Sequence, residues 1–396
     1  MTAPGRSSGR TSGQYLAHGA KTPKPGNSRI TVWFAGGGTG GHLYPGLAIA
    51  RALVRRRPDI QPYFVGALRG IDRDVLPKTE FPYTLLDLHP LYRPQIWKNW
   101  KTIRGAFGAW RALRRLARDQ RPKMVVGTGG YASGLTLYYA SRRHIPVVQH
   151  IGDAHPGITA RWTARFTREA YLGFPEAEQY LPTGWCRYID TGNPVEPPPD
   201  IRPSATEARA TWGFPSSARV LLVFGGSQGA RALNKAMAEW VHAGIPDNLC
   251  VIWATGHGQF EAFKQFDRPD VRVVPYLSPI ADAYAACDVA LVRAGMMGTS
   301  ELSAWGIPMV LVPLPTAAAD HQTKNAEVIE KAGAGVLLPQ AELNVPRLSG
   351  TIGDLLDNPA RLSAMAAAAK ARGRPNAAEE IAFRISALLH AQSAGK

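Results

Sequence analysis

The chain has 396 residues, 45% hydrophobic and 19% charged, so it can bury a large core and is not globally disordered. At roughly 150 residues per domain its length predicts two to three domains. No run of about 18 apolar residues reaches membrane-spanning length, and no apolar stretch of about 7–15 residues near the start predicts a secretory signal. Cys186, Cys250 and Cys287 share no CxxC spacing, which argues against a zinc site or disulfide framework and fits a reducing cytosol.

The formal charge of +16 is unevenly distributed. Residues 1–29 hold five basic and no acidic residues, 30–195 hold 23 and 11, and 196–396 hold 18 and 19. The positive charge therefore sits in the first half, pointing to nucleic acid, anionic lipid or a phosphorylated ligand.

Residues 1–28, rich in Gly, Ser, Thr, Pro and Lys, are expected to form a disordered basic tail. ITVWFAG, from Ile30, then predicts a buried strand. GGGTGGH follows, with five glycines among residues 36–41 and His42 after them, and PGLAIARALVRR predicts a helix. Glycine permits positive φ and close approach of a second molecule, and the helix start offers unpaired N–H groups to a diphosphate. The alternative is a tight turn in which glycine serves packing alone. The spacing is not that of a Walker A loop. A neutral His42 on the cleft side can take a proton from an attacking hydroxyl, or it can merely bond the turn; spacing alone leaves both open.

Further strands are predicted at PYFVG, KMVVGTGG and IPVVQH, with a helix at GAWRALRRLARD and a second glycine turn at GTGGYASG. The stretch PVEPPPDIRP (194–203) reads as a linker. RVLLVFGGSQGARALNKAM then repeats strand, glycine turn and helix, and the Ser227 and Gln228 side chains can bond phosphate oxygens. NLCVIWATG, VRVVPYL, DVALVRAG and PMVLVPL complete a second strand series, and a last helix near 376–391 packs on either half. The expected fold is α/β: two Rossmann-like, doubly wound parallel-sheet domains, 29–195 and 204–375, with 196–203 as linker and 376–396 as a C-terminal helix that can return to the first domain. Three glycine turns at the carboxyl ends of strands point to one ligand with phosphates in the interdomain cleft.

Six motifs occur in order from about Ile30 to the last helix: GGGTGGHLYPGLAIA, GTGGYASG, TGNPV (Thr191–Val195), GGSQGARALN, RAGMMGTSELSAWGIPMVLVP and DHQTKNAEVIEKAGAG. Together they resemble the MurG family of peptidoglycan N-acetylglucosaminyltransferases, GT-B enzymes of glycosyltransferase family 28. The resemblance implies inverting transfer of N-acetylglucosamine from UDP-N-acetylglucosamine to the muramyl 4-hydroxyl of lipid I, a polyprenyl-pyrophosphate-linked acceptor, giving lipid II for the cell wall. It implies a peripheral protein on the cytoplasmic face of the membrane, with no cofactor and no metal held by a DxD motif. It also implies a donor-binding second half and a membrane-facing first half, and the charge division agrees.

The resemblance carries roles to named residues. His42 falls on the histidine proposed near the acceptor hydroxyl, as general base. Thr39, Gly40 and Gly41 face the donor sugar and the acceptor, and Gly129, Gly130 and Tyr131 face the acceptor. Gly226, Ser227 and Gln228 meet phosphate, and the Leu277 main chain pairs with uracil. Met296, Met297 and Gly298, followed by Thr299 and Ser300, receive the departing diphosphate. Glu301 accepts from both ribose hydroxyls, a role that suits an acceptor-only carboxylate, the alternative being a helix-start acid stabilised by the dipole. His321 and Gln322 read sugar hydroxyls.

Three stretches depart from the family pattern. HIGDAHPG (150–157) stands where HEQNAVPG is common, so Asp153 replaces an amide that faces the donor and Ile151 replaces a glutamate. Glu196 follows TGNPV where arginine is usual, and must turn away from the diphosphate or be matched by Arg293 or another cation. AGMMGTSE is bulkier than the usual AGAST-type loop.

Arg93 to Lys123 holds ten basic residues and one acid. Trp97, Trp100, Arg104, Phe107 and Trp110 within it read as a face for an anionic membrane surface. A solvated helix with core aromatics is the second reading, and base stacking on nucleic acid is disfavoured. On the same fold, a glycolipid synthase with a diacylglycerol acceptor, a UDP-N-acetylglucosamine 2-epimerase and a nucleotide-sugar binder without turnover remain as alternatives. The first glycine turn and GTGGYASG favour the lipid I acceptor. An epimerase would not need the basic aromatic face, and a binder would hold UDP without transfer.

Overall fold

A computed structural model of the protein describes residues 29–88, 99–226 and 229–394. The first half runs β1 (Ile30–Gly36), α1 (Gly40–Arg56), β2 (Ile60–Ala67), α2 (Asp72–Val75), β3 (Tyr83–Leu86), α3 (Asn99–Gln120), β4 (Met124–Gly129), α4 (Tyr131–Arg142), β5 (Val147–Ile151), α5 (Ile158–Thr163), β6 (Glu169–Leu172) and β7 (Arg187–Asp190). The second half runs α6 (Ala205–Thr211), β8 (Arg219–Phe224), α7 (Arg231–Ala243), β9 (Leu249–Ala254), α8 (Phe260–Phe263), β10 (Val271–Val274), α9 (Ile280–Ala286), β11 (Val289–Val292), α10 (Met296–Trp305), β12 (Met309–Leu311), α11 (His321–Lys331), β13 (Gly335–Leu337), α12 (Val345–Leu356), α13 (Pro359–Arg372) and α14 (Ala377–Ala394).

Each half builds one parallel sheet, ordered β3-β2-β1-β4-β5-β6-β7 and β10-β9-β8-β11-β12-β13. The central strands are apolar on both faces because helices cover both: Val32, Trp33, Phe34 and Ala35 of β1 are buried, as are Val220, Leu221, Leu222 and Val223 of β8. In each sheet the strand order reverses direction once, between β1 and β4 and between β8 and β11. A crevice opens at the carboxyl ends of those neighbours, and the glycine turns sit there.

The strands read from continuous apolar runs all form, with β10 ending at Val274, short of the PYL that follows. The sequence reading missed β3, β6, β7 and β13. All lie at or beside a sheet edge and are three or four residues long, and β7 is largely exposed. β7, at the sheet edge, needs no apolar run because only part of its surface meets the core, whereas β3 and β6 are largely buried and escaped notice through their shortness. The first helix also begins five residues earlier than PGLAIARALVRR suggests, at Gly40, with Pro45 inside it. Burial of Leu43, Leu47, Ile49 and Leu53 outweighs the poor helix propensity of three glycines and a proline.

The helix α14 lies against α1: Ile381, Ala382, Ile385 and Leu389 are buried in one cluster with Val32, Phe34, Leu43 and Leu53. Each large apolar side chain so buried contributes roughly 1.5–3 kcal/mol. The chain therefore passes between the halves twice, near residues 191–203 and again near 373–377. The two passages adjoin. A Cβ on Gly192 (φ +77°) would overlap Arg374, whose guanidinium bonds Asp190 at 3.1 Å, and Arg372 bonds both Glu176 oxygens at 2.9 and 3.2 Å. Among the described residues no helix is long and apolar enough to cross a membrane.

Candidate active site

At the reversal point of the first sheet the two glycine turns stack on each other. Gly129 (φ +94°) and Gly130 (φ +76°) adopt left-handed backbone, and a Cβ there would come 2.7 Å from Nδ1 and 3.0 Å from Cδ2 of His42. Glycine is what lets the imidazole lie against that turn. The Thr39 carbonyl accepts from the His42 and Leu43 amides, each at 3.2 Å, so the Gly40 and Gly41 amides are the first orphan donors of α1.

One ring nitrogen of His42 donates to the Thr128 carbonyl, which leaves the other with its lone pair. Burial holds the His42 pKa below the ordinary histidine value; the Asp153 charge opposes this and His321 adds to it. The ring is therefore neutral at pH 7 and able to take a proton.

The second sheet supplies the opposite wall. Gly295 precedes α10, and its carbonyl accepts the Thr299 amide at 3.1 Å, leaving the Met296, Met297 and Gly298 amides without helical partners. Those donors and the helix dipole make an anion site. Glu301, on the same helix, accepts from the Tyr284 hydroxyl at 2.8 Å. Burial raises its pKa, the Tyr284 bond opposes that rise, and the nearby Glu196 charge adds to it. Leu277 is buried, while its neighbour Tyr276 is half exposed and stacks on His257 with ring centroids 5.5 Å apart.

The two walls meet through a small set of contacts. A Cβ on Gly41 would come 3.1 Å from Met296 Cε, and one on Gly152 would overlap Met296 Sδ, so Met296 is inserted between α1 and the β5–α5 loop. Asn325, fully buried, ties three segments together. Its Oδ1 accepts from the Ala154 amide at 2.8 Å, and its Nδ2 donates to Asp153 Oδ1 at 3.0 Å and to the Ala294 carbonyl at 3.1 Å. His321 Nδ1 lies 3.5 Å from Asp153 Oδ2. Asn193 Nδ2 bridges the Gly152 carbonyl at 3.1 Å and Ser300 Oγ at 2.9 Å.

His42, Asp153, Met296, Glu301 and His321 are thus gathered around one cleft. Other expected residues do different work. Thr299 Oγ1 donates to the Gly295 and Met296 carbonyls at 3.0 and 3.2 Å, so its hydroxyl is turned into its own helix. Gln322 Oε1 accepts from the Leu314 amide at 2.9 Å and pins the loop after β12. Arg293 donates to the Val312 and Pro313 carbonyls, each at 3.0 Å, and to Gln340 Oε1 at 2.6 Å, so it is not the cation matching Glu196. Glu196 is exposed and shares its field with Arg51 and Glu301. Tyr131 donates to the Arg69 carbonyl at 3.2 Å. Gly226 (φ +86°) turns in open space, and Ser227 and Gln228 lie outside the described residues.

The sequence reading missed Asn325, Asn193, Tyr284 and Tyr276. Asn325 had a usable signal, since it lies four residues after His321 and hence on the same helix face. Asn193 lies within TGNPV, and Tyr284 and Tyr276 carry no spacing that separates them from ordinary core or surface residues.

On the first domain, Phe107 is 61% exposed with the Arg111 guanidinium 4.3 Å above its ring. Trp110 is half-buried, edge-on to Tyr139 at 4.9 Å and 6.0 Å from Tyr138. Tyr138 continues to Trp162 at 5.3 Å, and Ile158 and Trp162 of α5 are exposed. Within this segment Trp110 packs inward and Phe107 stands exposed. Trp97 lies outside the described residues, as do the side chains of Trp100 and Arg104.

Two parallel α/β sheets whose crevices face each other, one with a helix start and a half-buried carboxylate, the other with a histidine, form the GT-B architecture of nucleotide-sugar enzymes. The models of the glycosyltransferase family 28 N-terminal and C-terminal domains match residues 32–172 and 220–381. The chain is 39% identical over 367 residues to the UDP-N-acetylglucosamine–N-acetylmuramyl-(pentapeptide) pyrophosphoryl-undecaprenol N-acetylglucosamine transferase of Moorella thermoacetica, covering 89% of this chain and 97% of that one. It is 37% identical to the protein of the same name from Salinibacter ruber, covering 90% and 96%. The crystal structure of MurG from Acinetobacter baumannii superposes with a TM-score of 0.71 at 27% identity, covering 90% and 99%. The chain belongs to glycosyltransferase family 28.

Proposed function

We propose that the chain transfers N-acetylglucosamine from UDP-N-acetylglucosamine to the muramyl 4-hydroxyl of a polyprenyl-pyrophosphate-linked acceptor, forming lipid II with inversion at the sugar. The observation that carries the reading is the apposition of α1 and α10 across the cleft, which sets a neutral histidine opposite a helix start suited to a diphosphate. The identity to named transferases over nearly the whole chain supports it.

In this reading the acceptor oxygen forms its bond to the anomeric carbon as the bond from that carbon to the β-phosphate oxygen breaks. The hydroxyl proton goes to the free nitrogen of His42, and the electron pair leaves on UDP. The Met296, Met297 and Gly298 amides meet the charge that develops on the diphosphate. Glu301 holds the ribose hydroxyls, and His321 reads the sugar. Burial keeps His42 able to accept a proton at neutral pH. One displacement inverts the centre, so no covalent nucleophile is required.

The acceptor's lipid implies docking at a membrane surface, peripherally and on the cytoplasmic face. Phe107, Tyr138, Ile158 and Trp162, flanked by exposed Arg111, Arg114, Arg115 and Arg118, support that contact.

The test is incubation with UDP-N-acetylglucosamine and a short-chain lipid I analogue. The expected products are the disaccharide lipid and one UDP per transfer. Folded protein that makes neither, that glycosylates diacylglycerol instead, or that epimerises the donor without an acceptor would overturn the assignment.

A further inference from the structure

Asp72 has no exposed surface, alone among the described aspartates and glutamates. Both carboxylate oxygens are engaged by main-chain donors. Oδ1 accepts from the Gly38 amide at 2.9 Å and Oδ2 from the Ala67 amide at 2.8 Å. Burying a carboxylate is costly unless its oxygens are bonded, and these two bonds join the end of β2 to the first glycine turn.

The surrounding backbone is shaped to admit the group. A Cβ on Gly37 (φ +144°) would overlap the Asp72 carboxylate, and one on Gly66 would come 3.0 Å from Oδ2. A Cβ on Gly70 (φ +85°) would run into the Gly38 main chain. From the other flank, one on Gly38 (φ +83°) would come 2.6 Å from the Tyr131 ring, and one on Gly130 would overlap the Gly37 carbonyl. The turn is clamped between the β2–α2 loop and the β4–α4 turn, and Asp72 is the polar anchor of the first flank.

We infer that Asp72 is a positioning residue for the transfer: its carboxylate fixes the turn at Gly38 so that Thr39 and His42 present themselves to the reacting hydroxyl. The inference rests on the function proposed above. Asp72 bonds only first-domain backbone, so its effect belongs to the chemical step rather than to donor binding in the second domain. Misplacing a reacting group by about 1 Å is enough to slow transfer strongly.

The experiment is Asp72→Asn. The amide offers one acceptor oxygen, and its NH2 group faces the second backbone N–H. Transfer to the lipid I analogue is expected to lose about tenfold or more in kcat, while the UDP dissociation constant stays within about twofold. Hydrogen exchange is expected to quicken in the peptide containing Gly38. A folded variant with kcat near the parent value, or with its loss carried in UDP affinity, overturns the inference. Should Asp72→Asn fail to fold, Asp72→Glu carries the same readouts with the charge retained. If neither folds, Asp72 is a folding determinant and the positioning role is refuted. Absence of disaccharide from the parent protein is a different failure: it refutes the proposed function, and this inference falls with it.

Discussion

His42 and Glu301 are moved by one cause, burial, and both are moved toward the uncharged form. The functional consequences are opposite. As the proposed base His42 must be unprotonated, and a pKa lowered from 6.5 keeps it so across the neutral range, so the acid limb of kcat/KM is expected below pH 6.5. His42→Ala is expected to cut kcat by roughly 10²–10⁴ with UDP affinity unchanged, a typical span for loss of a general base. Steady-state kinetics against pH check both, and an acid limb at or above pH 6.5 would argue against His42.

In its proposed role Glu301 must be ionised to accept the two ribose hydroxyls, and its raised pKa brings the protonated form in at a higher pH than for an ordinary carboxylate. Donor affinity is therefore expected to weaken on the acid side, starting above pH 4.5. Glu301→Ala is expected to weaken UDP-sugar binding about 10- to 100-fold, the worth of hydrogen bonds to a charged group. Calorimetry with UDP measures it.

At this scale the sequence was partly legible. GGGTGGH announces itself because glycine and a titratable neighbour are unusual at the end of an apolar strand, whereas Glu301 in TSEL was singled out only through the family resemblance. Asp72 does not announce itself, because a single polar letter in a four-residue helix acquires meaning only from the Gly38 and Ala67 amides that the fold brings to it.

At the scale of elements, long buried strands and the helices between them were readable from apolar runs, and edge strands such as β7 were not, since solvent relieves them of any pattern. The start of α1 was also hidden: glycine and proline speak against a helix, and only the packing of Leu43 and Leu47 shows that one forms. The joint surface of α3, α4 and α5 is likewise an assembled property. The basic run of α3 was visible in the sequence, whereas Tyr138 and Trp162 join Phe107 only in the fold. Double substitution of Phe107 and Trp162 by alanine is expected to weaken sedimentation with phosphatidylglycerol vesicles by about tenfold or more, from the apolar area lost at the interface. Activity on a soluble acceptor should persist, and equal vesicle binding by the variant would move the contact elsewhere.

At the scale of the whole molecule, the charge excess of the first half and near neutrality of the second were countable from the sequence, and they fall on two separate parallel sheets. The joint between those domains was not foreseen. Asn325 holds Ala154 and Asp153 of one to Ala294 of the other, with no bulk water at hand to replace the bonds. Asn325→Leu strands the buried Ala154 amide and Ala294 carbonyl, and each buried polar group left unpaired costs about 1–3 kcal/mol. The expected result is a lower melting temperature and a wider separation of domains by small-angle scattering. An unchanged scattering profile would show that the joint does not depend on this side chain.

The paired passages of the chain at 191–203 and 373–377, cross-tied by Arg374 to Asp190 and Arg372 to Glu176, bear on how the jaws swing. A body hung on a single thread turns freely in every direction, whereas one hung on two neighbouring threads keeps an easy rotation about the line through both and resists twisting across it. Opening to release UDP and shutting on the next donor would then retrace one arc, returning His42 to the same station opposite α10 on every cycle.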